Sequence, residues 1–165
     1  MFSIIFSQDI PSFDSNRAMD LLKIQCEFGP RYPGSIGHEK MKLFFKDFLE
    51  PLSDSLHIMD EEILHPYKDG SMYLTNYLAR FQLDAHRRIM LMAHWDTREF
   101  ADKDLNPENQ KLPIIGANDG ASGVAVLLVL AEILHILPTI NIGIDLLFVD
   151  GEDQGRAGDP ENFGL

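Results

Sequence analysis

Two short apolar runs, Ile89-Met90-Leu91-Met92-Ala93 and Ile142 to Val149, bracket a longer apolar segment, Val124 to Leu137. This order constrains the fold more than any other feature of the chain. A short continuous apolar run without polar alternation suits a strand buried on both faces. The middle segment follows a glycine-rich turn, Gly116 to Gly123, and has Pro138 just past its end, so it reads as a buried helix. Strand, helix, strand implies a βαβ crossover and a parallel core, hence an α/β fold.

The first half of the chain supplies the remaining elements. A helix is predicted from an N-cap at Ser15 to Glu27, stopped by Gly29-Pro30. A second helix places Met41, Phe44, Phe45, Phe48 and Leu49 on one stripe, and Pro51 ends it. The period then shortens, and Leu56 to Leu64 and Met72 to Phe81 read as strands joined by a turn at His65 to Gly70. Thr97 to Lys111 is a polar loop. No repeat divides the 165 residues, which suit one domain.

Composition excludes several function classes. Lysine and arginine number 14 against 26 aspartates and glutamates, a net charge of −12 that disfavours a nucleic-acid partner. The single cysteine, Cys26, has no partner for an internal disulfide and reads as a small buried hydrophobe. Val124 to Leu137 is interrupted by Glu132 and His135 and is shorter than the ~20 residues a membrane span requires. Met1 to Phe6 lacks the basic start, long apolar run and small-residue cleavage site of an export signal.

Three polar clusters then fall where an open α/β sheet places its site, beyond the carboxyl ends of the strands. His94-Trp95-Asp96 follows the first apolar strand, Asn118-Asp119-Gly120 opens the helix, and Asp150-Gly151-Glu152-Asp153 follows the second strand. Taken singly, each has an ordinary reading: a hydrogen-bonded pair, a turn, a solvated loop. Together they offer imidazole and carboxylates without thiolate, a donor set suited to zinc or another borderline divalent metal. Adjacent carboxylates repel in a dry cleft, and a cation relieves that repulsion. A bend at Gly151 lets one of Glu152 and Asp153 face a metal and the other carry a proton.

The run Gly116-Ala117-Asn118-Asp119-Gly120-Ala121-Ser122-Gly123-Val124-Ala125, with His94-Trp95-Asp96 before it and Phe148-Val149-Asp150-Gly151-Glu152-Asp153 after it, resembles the zinc-dependent aminopeptidase and glutaminyl-peptide cyclotransferase superfamily. Phe28-Gly29-Pro30-Arg31-Tyr32-Pro33-Gly34-Ser35 and Asp96-Thr97-Arg98-Glu99-Phe100-Ala101-Asp102 are similar to the cyclotransferase branch. The resemblance runs from about Phe13 to the end of the chain and covers the N-terminal part of the family domain. It implies a zinc-exopeptidase-like (phosphorylase/hydrolase-like) fold, with a mixed, mostly parallel sheet sandwiched by helices.

Carried over by position, the resemblance implies zinc as cofactor, with Asp119 and Asp153 as metal carboxylates and Glu152 as general base and acid. His94 matches a ligand of the second zinc in the aminopeptidases, and Asp96 the carboxylate that orients that histidine. The family draws its remaining zinc histidine from a later part of the domain. His38, His57, His65, His86 and His135 do not match it and read as structural or surface residues. The expectation is therefore a fragment of a longer enzyme or a truncated relative, with apolar surface exposed along Ile142 to Val149. The activity implied is conversion of N-terminal glutamine to pyroglutamate with release of ammonia, on a peptide or protein N-terminus. A two-zinc aminopeptidase is the alternative, and a truncated, non-catalytic relative the second alternative. Relatives of this type are commonly exported, which implies a periplasmic or secreted setting.

Overall fold

The computed structural model describes residues 11–137 and 141–155. They form α1 (Ser15–Glu27), α2 (Ile36–Leu49), β1 (Ser55–Leu64), β2 (Ser71–Phe81), β3 (Arg88–His94), α3 (Ser122–Ile136) and β4 (Gly143–Val149). The segments Met1 to Phe6 and Pro138, used in the sequence reading, lie outside the described residues.

Local chemistry sets the helix starts. The cap of α1 is Asp14, one residue before the predicted Ser15, because its carboxylate accepts from Arg17 N at 2.9 Å. Ser35 caps α2, accepting from His38 N at 3.1 Å and donating to Pro30 O at 2.8 Å. The predicted stripe of α2 is the face that packs: Met41, Phe45 and Leu49 are fully buried.

The sheet order is β1-β2-β4-β3. β3 and β4 are parallel, as the βαβ reading requires, whereas β1–β2 and β2–β4 are antiparallel. The sheet is mixed, and among the described residues its parallel character is confined to that one pair.

Register aligns a single core face. Tyr77, Ala79 and Phe81 of β2 stand opposite Phe148, Leu146 and Ile144 of β4, which in turn face Ala93, Leu91 and Ile89 of β3. Buried residues of α1, α2 and α3 share one cluster with this face. Because side chains alternate across a strand, the described helices cover one side of the sheet. Phe45 is central, with its ring 5.0 Å from Tyr77 and 4.8 Å from Phe148. Cys26 is only half-buried.

The stretch Ala117–Ile136 is long and apolar enough to cross a membrane by length and composition. Half of that window is buried, with Val124, Leu128 and Ala131 fully enclosed, which is the position of a core helix. Glu132, which interrupts the apolar run, accepts from Arg17 Nε at 3.0 Å and Nη2 at 2.7 Å and ties α3 to α1.

Two expectations about the apolar strands are corrected. Ile89 to Met92, expected to be buried on both faces, are between 38% and 65% exposed, because β3 lies at the end of the sheet order. β4 is the inner strand, with Leu146 and Phe148 fully buried, so the exposure expected along Ile142 to Val149 falls mainly on β3 instead. Nor is β4 wholly apolar. Asp145 accepts from Arg80 Nε at 3.0 Å and from Arg88 Nε and Nη2 at 2.8 and 2.7 Å. Hydrogen bonding to Arg88 holds its carboxyl below the ordinary range, and the cluster pins β2, β4 and β3 together.

Candidate active site

β3 and β4 run in parallel, so their carboxyl ends open at the same edge. Pairing continues one step past the strands, where Trp95 N donates to Val149 O at 3.0 Å. Trp95 then turns into the core, fully buried and stacked on His38 with ring centroids 4.5 Å apart. Alternation sends His94 and Asp96 to the opposite side.

The loop before α3 comes close because of two glycines. Gly116 and Gly120 have φ of 62° and 95°, a region favouring glycine. A Cβ on Gly116 would lie 2.4 Å from Asp119 O and from Thr97 Cγ2; one on Gly120 would lie 2.7 Å from Asp96 O. Glycine thus lets this turn press against the segment after β3. Asp119 is extended at φ −99° and ψ 112°, and its Oδ1 sits 3.0 Å from His94 Nε2.

The segment after β4 is turned by Gly151, at φ 86°. Asp96 then gathers the backbone of that turn. Its Oδ1 accepts from Glu152 N at 3.2 Å; its Oδ2 accepts from Asp153 N at 3.1 Å and Gln154 Nε2 at 2.9 Å. The same Oδ1 faces His94 Nδ1 at 3.5 Å, an ion-pair distance longer than a good hydrogen bond.

His94, Asp119 and Asp153 each present one ligand atom, and these atoms lie within 4.8 Å of one another. Glu152 stands beside them, with Oε2 3.8 Å from His94 Nδ1. Interaction with Asp96, helped by Glu152 and Asp119 and opposed by burial, raises the His94 imidazole to about 9. Burial, then the negative charges of Asp96 and Asp119, push Asp153 up to about 6. A partly buried carboxylate held up by its acidic neighbours, as Asp153 is, is one a cation would stabilise. One imidazole and two carboxylates are hard-to-borderline donors, and they fit zinc.

All five residues singled out in the sequence, His94, Asp96, Asp119, Glu152 and Asp153, therefore meet at one place. Asp150 does not join them. It turns inward, where its Oδ2 lies 2.8 Å from His38 Nε2 and accepts from Thr75 N at 2.8 Å. His38 is buried and structural, and none of His38, His57, His65, His86 and His135 joins the cluster.

Three contributors escaped the sequence reading. Gln154 binds Asp96. Arg98 Nη1 lies 3.7 Å from Asp153 Oδ1, while Nη2 donates to Asp102 and, at 2.8 Å, to Gly155 O. Arg31 is fully buried beneath the loops. A polar residue in a loop carries no periodic signal of burial, so only its place in the cyclotransferase-like segments drew notice to Arg31 and Arg98. A cavity of about 500 Å³ opens beside Asp153, lined by Lys68, Arg98, Glu99, Phe100, Asp153 and Gln154 among others.

Known proteins resemble this chain in sequence and in fold. A glutaminyl-peptide cyclotransferase-like protein from Bos taurus is 26% identical over 138 residues, covering 80% of this chain and 34% of its own length. The crystal structure of a Bacteroides thetaiotaomicron glutaminyl cyclase bound to N-acetylhistamine superposes with a TM-score of 0.84 at 33% identity, covering 95% of this chain and 53% of that one. A Zn-dependent exopeptidase from Parabacteroides distasonis superposes with a TM-score of 0.83 at 31% identity, covering 94% and 52%. The chain thus spans about a third of that curated relative and about half of these solved structures. The description of Peptidase family M28 matches residues 76–159, a stretch holding all five site residues. By that match, which takes in both apolar strands, the helix between them and the whole cluster, the chain belongs to Peptidase family M28.

Proposed function

We propose that this chain carries the zinc-binding and proton-transferring part of a glutaminyl-peptide cyclotransferase. The observation that carries the reading is the placement of Glu152 beside the His94–Asp119–Asp153 cluster, on a turn fixed by Asp96. The names of the relatives support it over general peptide hydrolysis.

Asp119 and Asp153 would hold the metal. When bound, zinc supplies a positive charge that polarises the side-chain carbonyl of an N-terminal glutamine. Glu152 takes a proton from the α-amine as its nitrogen bonds to the amide carbon. It then returns a proton to the departing amide nitrogen, which leaves as ammonia. Glu152 has the exposure for this task, with its side chain 48% accessible, whereas Asp153 is largely enclosed. Asp96 holds both backbones and keeps the His94 imidazole in place. The attack is intramolecular, so no external nucleophile is required.

One observation favours a second reading, a two-zinc aminopeptidase: His94 Nε2 already lies 3.0 Å from Asp119 Oδ1, where a second metal would need a ligand. A single assay separates the two. The zinc-loaded protein is incubated with a glutaminyl peptide, and ammonia and free amino acid are both measured. Ammonia is expected, and Glu152→Gln should lower its release by roughly 10²–10⁴-fold while retaining zinc. Free glutamine without ammonia would support the aminopeptidase. Undiminished turnover in Glu152→Gln would remove Glu152 from either mechanism.

A further inference from the structure

We infer that Arg31 is a positioning residue for the metal ligands, clamping the segment that follows His94 onto the turn that carries Asp119. The inference rests on the metal-site reading above.

The Arg31 side chain is fully buried, and its side-chain hydrogen bonds go to main-chain carbonyls. Nε donates to Trp95 O at 3.1 Å, between His94 and Asp96. Nη1 donates to Ile115 O at 3.0 Å, and Nη2 to Gly116 O at 3.1 Å, just before the Asp119 turn. Nη1 also reaches Gln25 O at 3.2 Å and Gly29 O at 3.4 Å, anchoring the group to the end of α1. A Cβ on Gly120 would lie 3.4 Å from Nη2, so the turn rests on the guanidinium.

The backbone of Arg31 adds a second link. Its N–H donates to Thr97 Oγ1 at 2.8 Å, and the methyl of Thr97 packs against Gly116. Burying a cation is costly unless its donors are satisfied. Here the planar fork meets carbonyls from separate segments: one leads into the Asp119 turn, and another carries His94 and Asp96, whose carboxylate holds the Asp153 backbone. A lysine offers a single ammonium and cannot span those directions. The gap between the Asp119 turn and the segment that carries His94 and Asp96 is therefore held by Arg31, whose side-chain donors go to main-chain carbonyls rather than to the ligand side chains.

The test uses Co²⁺ as a spectroscopic probe in place of zinc, with the folded state checked by circular dichroism at the working temperature. Arg31→Lys is expected to weaken Co²⁺ binding about 10–100-fold, the usual effect of losing a residue that supports metal ligands, and to alter the visible spectrum. Thr97→Val should shift both in the same direction, and Thr97→Ser, which keeps the hydroxyl, should stay nearer the wild type. Leu134→Ala, a core cavity at the far end of α3, should lower Tm while leaving affinity and spectrum unchanged. If Arg31→Lys and Thr97→Val bind Co²⁺ as the wild type does, the inference fails. If Arg31→Lys does not fold, Thr97→Val against Thr97→Ser decides it. If the wild type binds no Co²⁺, or Asp119→Ala binds as well as wild type, the metal-site reading itself fails.

Discussion

Replacing Asp96 by asparagine removes one charge and one acceptor from the centre of the site, and the two losses have different pH dependence. In the metal-free chain, His94 is raised from 6.5 to about 9, chiefly by Asp96. A raised histidine pKa contributes stability fully present below about 6.5 and lost as pH rises through about 9. For that shift the contribution is about 2.5 kcal/mol at pH 7 and close to zero at pH 10. Asparagine also turns an NH₂ either toward Glu152 N and His94, or toward Asp153 N and Gln154 Nε2. Either way a buried donor loses its acceptor, at about 1–3 kcal/mol whatever the pH. Asp153 is ionised at both pH values, so its response cancels in the comparison. Asp96 supplies the largest share of the His94 shift and Glu152 and Asp119 the rest, so Asp96→Asn should cost about 2.5–5 kcal/mol at pH 7 and about 1–3 kcal/mol at pH 10. Urea unfolding in the presence of a chelator measures this, with fluorescence of Trp95, the one tryptophan and a neighbour of the site. A loss that differs by less than about 1 kcal/mol between the two pH values would refute the assignment of Asp96 as the group that charges His94.

Zinc held by Asp119 and Asp153 should lose about tenfold in affinity per pH unit below about 6, where Asp153 takes up its proton; with His94 as a further ligand the loss should already be about tenfold per unit below about 9 and about a hundredfold per unit below about 6. Calorimetry at pH 7 in buffers of different ionisation enthalpy should register little proton release for zinc on Asp119 and Asp153, and release of the His94 proton would instead support the two-zinc reading. In the core, Phe45→Ala should cost about 3–5 kcal/mol, since the fully buried ring touches Tyr77, Trp95 and Phe148. A loss under about 1 kcal/mol in chemical denaturation would mean that the helix face had been misplaced.

Much of the fold was legible because it is periodic. The stripe of α2 and the apolar run of α3 needed only local pattern, and the parallel β3–β4 pair followed from the crossover between them. The site was legible for a related reason: parallel strands deliver their carboxyl ends to one edge, so His94, Asp119 and the Glu152–Asp153 pair had to converge there. The burial of β3 was not legible. An apolar run records that something can pack on it, not where it stands in the sheet, and Ile89 to Met92 lie in an edge strand among the described residues. Asp145 was hidden inside an apolar strand because its partners, Arg80 and Arg88, lie far away along the chain.

The sequence by itself determined which elements form and which residues reach the site, since alternation, helical spacing and glycine placement act over a few residues. Tertiary structure decided what supports those residues. Asp96 serving the backbone of Glu152 and Asp153, Asp150 turned inward to His38, and Arg31 buried among carbonyls all depend on contacts between segments remote in sequence. Hydrogen bonding to a buried charge is settled by which distant carbonyls and N–H groups arrive around it, and no local pattern of side chains encodes that arrival.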